Sequence, residues 1–404
     1  MTSVDDLAPF DRDPVEFLFR GEEMMLEIAK SGCPAMKVPF GVGVFSRELV
    51  HATLRDRRME ARIVAALLLQ GVTQGQLFDN LNTSILNMNG PEHQRLRQLV
   101  LAAFTPARIE RLRPAMREIA NELIDTFAPS GHVEFMEQFA NQYPVQVICT
   151  VLGVPRGDRH LFRAWLDEIS FGLSALAAER RDTIEQAQRE LDDYLRHMID
   201  ARRSNPGDDL ITALLAAEEA GDRLTHDEVV RMTGGLLFAG HDTTRNQLGR
   251  GLHAFADHPD QWALLAARPE LAAAAVDEVM RRFPAVGGVS PRVAAGDVQL
   301  PGLSIPSGTI INVSTLAANH DPAVFGDDAE LFDISAARPV SHLTFGGGPH
   351  LCLGINLARA EMQEAYVVLA TRLAGLTLDG DPVYPPRVGI YGPDVLNLKF
   401  TSSS

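Results

Sequence analysis

The sequence predicts a mainly α protein with small β-sheets. Apolar residues recur at three- and four-residue spacing through 106–127, 181–203, 225–256 and 355–374, and these stretches are rich in Ala, Leu, Glu and Arg. Strand-like stretches are few and short, at 38–45, 298–300 and 309–313. There is no Ser/Gly-rich or Pro-rich linker and no internal repeat, and the sharpest break is the turn Ser204-Asn205-Pro206-Gly207-Asp208. One domain over 1–404 is therefore expected, with a β-containing subregion at roughly 30–60 and 285–340.

Taken in order, 38–45 is the first short strand-like stretch. The helix over 181–203 stops at the Pro-Gly turn. The next begins at Thr225-His226-Asp227-Glu228, a capping box, and runs to about Ala256. At ~1.5 Å per residue it approaches 50 Å, long enough to cross the molecule. The last helical pattern resumes directly behind a glycine-rich loop near the C-terminal end.

Composition bounds the function. The 404 residues are 46% hydrophobic and 22% charged, with a formal net charge of −16. Nucleic acid and anionic membrane surfaces both demand a basic face, so neither is expected as a partner. The N-terminal stretch is acidic and lacks a charged-then-apolar signal pattern. The strongest apolar run, 63–69, is far short of a membrane span. Cys33, Cys149 and Cys352 are odd in number and far apart, which argues against a disulfide framework and for a reducing cytoplasm.

Three stretches carry candidate chemistry. The first is F-G-G-G-P-H-L-C-L-G at 345–354, where Cys352 follows Gly346, Gly347, Gly348 and His350. A glycine run lets backbone approach something bulky. A cysteine near a helix N-terminus meets N–H groups and a dipole that favour the thiolate. Alone, the loop fits a buried free cysteine equally well, and zinc less well, because His350 and Cys352 supply only two ligands. The second is Ala239-Gly240-His241-Asp242-Thr243-Thr244, a poor helix centre inside a long helical pattern. A threonine there can bond a carbonyl one turn back. A polar patch on a solvated face is the plain alternative, but the residues before it, 236–239, are wholly apolar. The third is Glu278-Val279-Met280-Arg281, which alone reads as a surface ion pair worth ~0–1 kcal/mol.

Together the order and spacing of these stretches resemble the cytochrome P450 family, the heme-thiolate monooxygenases. The matches are F-x-x-G-x-H-x-C-x-G at 345–354, A-G-x-D-T-T at 239–244 and E-x-x-R at 278–281. Further stretches at 90–97, 292–294, 318–322 and 341–344 resemble the soluble bacterial members. The resemblance implies a triangular helical prism with heme b between the long central helix and the cysteine loop. By it, Cys352 is the proximal iron ligand, with Phe345 and Gly346 below the porphyrin and Ala239 and Gly240 above. His93, Arg97, Arg292 and His342 would pair with the propionates, and His350 would orient them or shape the loop. Glu278 and Arg281 would be structural. Asp242 and Thr243 would bring protons to dioxygen, so that an apolar small molecule is oxidised.

Nothing resembles a dinucleotide fingerprint, since Gly41-Val42-Gly43 lacks the third glycine, and three cysteines do not suit an iron–sulfur cluster. A separate ferredoxin with an NAD(P)H-dependent reductase is the implied electron source, docking on Arg108, Arg111, Arg113, Arg117 and Arg359. The implied substrate pocket draws on 77–88, 171–176, Leu237, Gly288, Val289 and Ile390. The rival reading is a non-catalytic heme sensor or carrier. It accounts for Cys352 but not for the Asp242–Thr243 pair.

Overall fold

The computed structural model describes residues 2–11, 14–219, 224–287, 289–385 and 389–402, with the backbone alone for a few of them, among them Val289. Its axis is the helix His226–Asp257, 32 residues long. Thr225 Oγ1 accepts from the Glu228 N–H at 3.2 Å and Glu228 Oε2 accepts from the Thr225 N–H at 2.6 Å, so the capping box forms as expected. The helix is buried on nearly every side because Tyr143–Leu152, Arg159–Ser170 and Arg181–Ser204 pack around it. Ile355–Arg372, the helix behind the cysteine loop, crosses it at Gly251. A Cβ on Gly251 would lie 1.9 Å from Tyr366 Oη, which donates to the Gln247 carbonyl at 3.2 Å. Only glycine permits that approach.

The helix Pro106–Phe127 starts with proline behind the cap Thr105, whose Oγ1 accepts from the Arg108 N–H at 3.3 Å. It buries Ile109, Met116, Ile119, Leu123 and Ile124 at helical spacing against Ile355–Arg372. The main core lies between these helices and includes Phe135, Phe139 and Tyr143, stacked at 5.2 Å centroid spacing.

A five-stranded sheet forms at the other side of the molecule. Its order is Ala35–Val38, Gly41–Val44, Ile310–Ser314, Val289–Ala294 and Met59–Ala61. The Val42–Ile311 pairing is parallel and the other pairings are antiparallel. The single strand expected over 38–45 is a hairpin instead. Gly41 sits at φ +120°, and a Cβ there would lie 2.2 Å from the Ile310 carbonyl oxygen. Val42, Val44, Ile311 and Val313 face a second core shared with Leu54 and Leu343, at the entrance to the cysteine loop.

Val298–Leu300 pairs with Leu303–Ile305 as a separate small sheet. The last helix ends at Arg372, short of 374, because Leu373–Leu378 pairs with Asn397–Ser402, which pairs on its other side with His132–Glu134. Among the described residues, no helix is long and apolar enough to cross a membrane.

Candidate heme site

The cysteine loop is fixed by its own backbone. Cys352 N–H donates to the Phe345 carbonyl at 2.9 Å, Gly346 N–H to Leu343 at 2.8 Å and Leu351 N–H to Gly348 at 3.2 Å. Gly348 adopts φ +59° with its Cα pressed on the helix Arg47–Arg55, where a Cβ would lie 2.3 Å from the Leu54 carbonyl oxygen. The helix begins at Ile355, three residues beyond Cys352. Burial pushes the Cys352 thiol up, against the Gly354 N–H and Arg97, which pull it down. The dipole argument pointed the other way, and desolvation outweighs it.

Around the loop the structure gathers histidines and arginines. The His93 and His350 rings stack at 4.3 Å. His350 Nε2 lies 3.1 Å from Asn89 Oδ1, and the Arg97 guanidinium donates to the Leu351 carbonyl. Burial lowers the His350 pKa to about 3, and the neighbouring His93 ring and the Arg292 and Arg97 guanidinium groups disfavour its protonation further. Burial brings Arg292 down to about 10. Two carboxylates placed here would relieve that convergence, so these residues fit a porphyrin with propionates beside a cysteine. His342 stands apart. Its Nε2 lies 3.5 Å from Asp277 Oδ1, and Asp277 also takes Arg359 at 2.8 Å, so a propionate would have to compete with that carboxylate.

At mid-length of the central helix, Leu236, Ala239, Gly240 and Thr243 are half-exposed while Leu237, His241, Asp242 and Thr244 are buried. The exposed set shares one helix face. Thr243 Oγ1 donates to the Ala239 carbonyl at 2.7 Å, the bond anticipated from sequence, and the helix continues through it. Asp242 Oδ1 accepts from Asn246 Nδ2 at 3.0 Å and lies 3.4 Å from Arg245. Burial raises the Asp242 carboxyl, although Arg245 opposes it.

Several of the segments named for the pocket touch one another. Gly172 packs on Leu77, Gly389 lies against the Leu173 carbonyl, and Tyr391 N–H donates to the Ala285 carbonyl at 2.9 Å. That brings half-buried Ile390 beside the segment ending at exposed Val286. Leu237 is in the main core, and its neighbour Leu236 lies on the half-exposed face. Gly288 lies outside the described residues, and Val289 opens a strand of the large sheet.

The surface reading of Glu278 and Arg281 is overturned. The residues are 3% and 1% exposed, and Arg281 donates to both Glu278 oxygens, at 2.8 and 2.9 Å. Arg338 adds bonds to the same carboxylate at 2.5 and 3.1 Å. Arg281 also donates to the carbonyls of Asn319, Ala329 and Leu331. Asn319 in turn holds Leu343 N–H at 2.7 Å and Thr344 Oγ1 at 2.9 Å, immediately before the cysteine loop. Sequence reasoning missed Arg338 and Asn89, and it met Asn319 only within the 318–322 stretch, with no role given to it. Their partners lie far away in the chain, and no local spacing signals them.

Fold and site together fit the class of heme-thiolate enzymes. The model of the cytochrome P450 family matches residues 64–373. The chain is 36% identical over 348 residues to the luteothin monooxygenase of Streptomyces thioluteus, covering 86% of this chain and 85% of that protein. It is 42% identical over 296 residues to the mycinamicin IV hydroxylase/epoxidase of Micromonospora griseorubida, covering 73% of each. Among solved structures, P450BioI in complex with hexadec-9Z-enoic acid ligated acyl carrier protein superposes with TM-score 0.86 at 30% identity, covering 95% of this chain and 100% of that one. The chain belongs to the cytochrome P450 family and is a monooxygenase of that family, with heme as its cofactor.

Proposed function

We propose that the whole chain is one cytoplasmic catalytic domain that holds heme b on Cys352 and oxidises an apolar small molecule with dioxygen. Electrons come from a separate ferredoxin and its NAD(P)H-dependent reductase. The observation that carries this reading is the Asp242–Thr243 pair, a buried acid beside an alcohol on the half-exposed face of the central helix. A carrier needs no such pair.

Heme with a thiolate behind its iron supplies dioxygen activation and O–O cleavage. The chain supplies the rest. Phe345 and the glycines of the loop shape the proximal floor, and Ala239 and Gly240 keep the opposite wall low. Arg97, Arg292, His93 and His350 take the propionates, with His342 joining once it leaves Asp277. Asp242 holds a proton at its carboxyl, and Thr243, whose own hydrogen goes to the Ala239 carbonyl, holds a proton donor at the lone pairs of Oγ1. The apolar residues of 77–88, such as Leu77 and Ile85, together with Val286 and Ile390 exclude water and favour a hydrophobic substrate. Hydroxylation or epoxidation, the reactions named for one relative, is the reaction class taken over.

The proximal arginines suggested for ferredoxin are mostly engaged with acids. Arg113 and Arg117 hold Glu364, Arg359 holds Asp277 and Arg108 reaches Asp208. A ferredoxin therefore docks there by exchanging carboxylates rather than by meeting bare charge.

Product formation under air, with a surrogate ferredoxin system and a ligand that perturbs the heme spectrum, tests the function. Oxygen-dependent oxidised product is expected, and tight dioxygen binding with no turnover for any spectrally active ligand would contradict it. Arg97→Leu should shed heme to apomyoglobin several-fold faster than the parent, because a buried propionate loses its partner. Equal transfer rates would remove Arg97 from that role.

A further inference from the structure

Asp242 is buried, yet the reaction takes up protons from solvent. One polar route leads from it to the surface, and a second leads there from its chain neighbour His241. In the first, Asp242 Oδ1 lies 3.4 Å from Arg245, which donates to Asn141 Oδ1 at 3.4 Å. Asn141 Nδ2 then donates to Glu137 Oε2 at 3.3 Å. Arginine stays protonated and an amide does not titrate, so this route holds geometry and passes no proton.

The second route starts at His241, whose side chain is 1% exposed. Its Nε2 lies 3.2 Å from Oδ1 of Asp167, on the neighbouring helix Arg159–Ser170. The Asp167 side chain is 36% exposed. His241 Nδ1 is buried with no hydrogen-bond partner among the described residues. Both His241 and Asp167 act electrostatically on the Asp242 carboxyl. Arg163 joins the outer ends of the two routes, 2.5 Å from Glu137 Oε2 and 3.5 Å from Asp167 Oδ2.

We propose that Asp167 and His241 form the proton entry port that feeds Asp242. The inference rests on Asp242 being the internal proton station. Asp167 takes a proton from water at its exposed carboxylate and passes it from Oδ1 to His241 Nε2. The imidazolium releases the Nδ1 proton, directly or through one water, to the Asp242 carboxylate. A turn of the ring then presents an unprotonated nitrogen to Asp167 again. No electrons move, and one proton leaves solvent for each that reaches Asp242. The charged groups facing His241 are Asp167 and Arg163 from one helix, Glu137 beyond Arg163, and Asp242 and Arg245 on its own helix.

The port differs from a simple fastener between helices in what its loss changes. Asp167→Asn and His241→Gln keep polar groups at both positions but break the relay. Each should lower kcat about tenfold or more and enlarge the solvent isotope effect, as for loss of a positioned proton donor. The spectral Kd for the same ligand and the thermal midpoint of the heme-loaded protein should stay close to the parent, and Asp167→Glu should restore turnover. Parent-like kcat and isotope effect in both variants, with Asp242→Asn slow, would overturn the port while leaving Asp242 in place. A weakened Kd with unchanged kcat would make the pair a fastener and also overturn it. Normal turnover of Asp242→Asn would instead remove the station on which the port depends.

Discussion

Glu278→Ala should yield protein with little heme and a sharply lower thermal midpoint. The carboxylate takes bidentate Arg281 and a second pair of bonds from Arg338, all within a buried network. Its removal leaves two guanidinium groups facing each other out of water. Breaking a buried pair in this way costs about 3–5 kcal/mol. The loss propagates, because Arg281 anchors the Asn319 carbonyl and Asn319 anchors Leu343 and Thr344 ahead of the cysteine loop. Burial alone would raise the Glu278 pKa, but Arg281 and Arg338 together hold it below the ordinary carboxylate value. The sign follows: this contribution is present above the unfolded-state value of about 4.3 and is lost as pH falls through the lower folded value. Glu278→Ala should therefore show a weaker acid dependence of stability than the parent below about pH 4. Normal heme content and an unchanged midpoint would return the pair to a marginal role.

Thr243→Ala should leave heme, ligand and dioxygen binding intact and change what the electrons make. Thr243 Oγ1 sits on the half-exposed face with its hydrogen given to the Ala239 carbonyl, leaving its lone pairs to receive a proton donor. Without it, the proton needed late in the reaction arrives too slowly, and hydrogen peroxide escapes. A hydrogen bond made at the critical moment is worth ~3–4 kcal/mol by analogy with oxyanion-hole donors, or a few hundredfold in rate. Thr244 is buried, so it is poorly placed to substitute. NADH consumed, hydrogen peroxide and product are measured together. Equal product per NADH in the variant and the parent would defeat the role.

Much of the fold was legible because its helices are long and locally patterned. The spans at 106–127, 181–203 and 225–256 agree with the structure to within a residue or two. Short strands were legible only where their apolar residues cluster locally. The sheet joining Leu373–Leu378 with Asn397–Ser402 and His132–Glu134 depends on partners more than 200 residues apart, as in the Leu398–Val133 pairing. The same limit governed the site. Cys352, Asp242 and Thr243 lie in local motifs and could be read directly. The burial of Glu278, its second partner Arg338 and the engagement of His342 with Asp277 are tertiary facts. So is the raised Cys352 pKa, because the helix dipole is visible in a sequence and desolvation is not.

The account stands or falls on Cys352 as the ligand behind the iron, and the carbon monoxide spectrum of the reduced protein reads that ligand directly. The parent should show the strongly red-shifted Soret band of thiolate-ligated heme. Cys352→His should still take up heme, held by Arg97, Arg292, His93 and His350, but its band should move to the position typical of imidazole ligation. A Cys352→His protein that kept the red-shifted band would contradict the assignment.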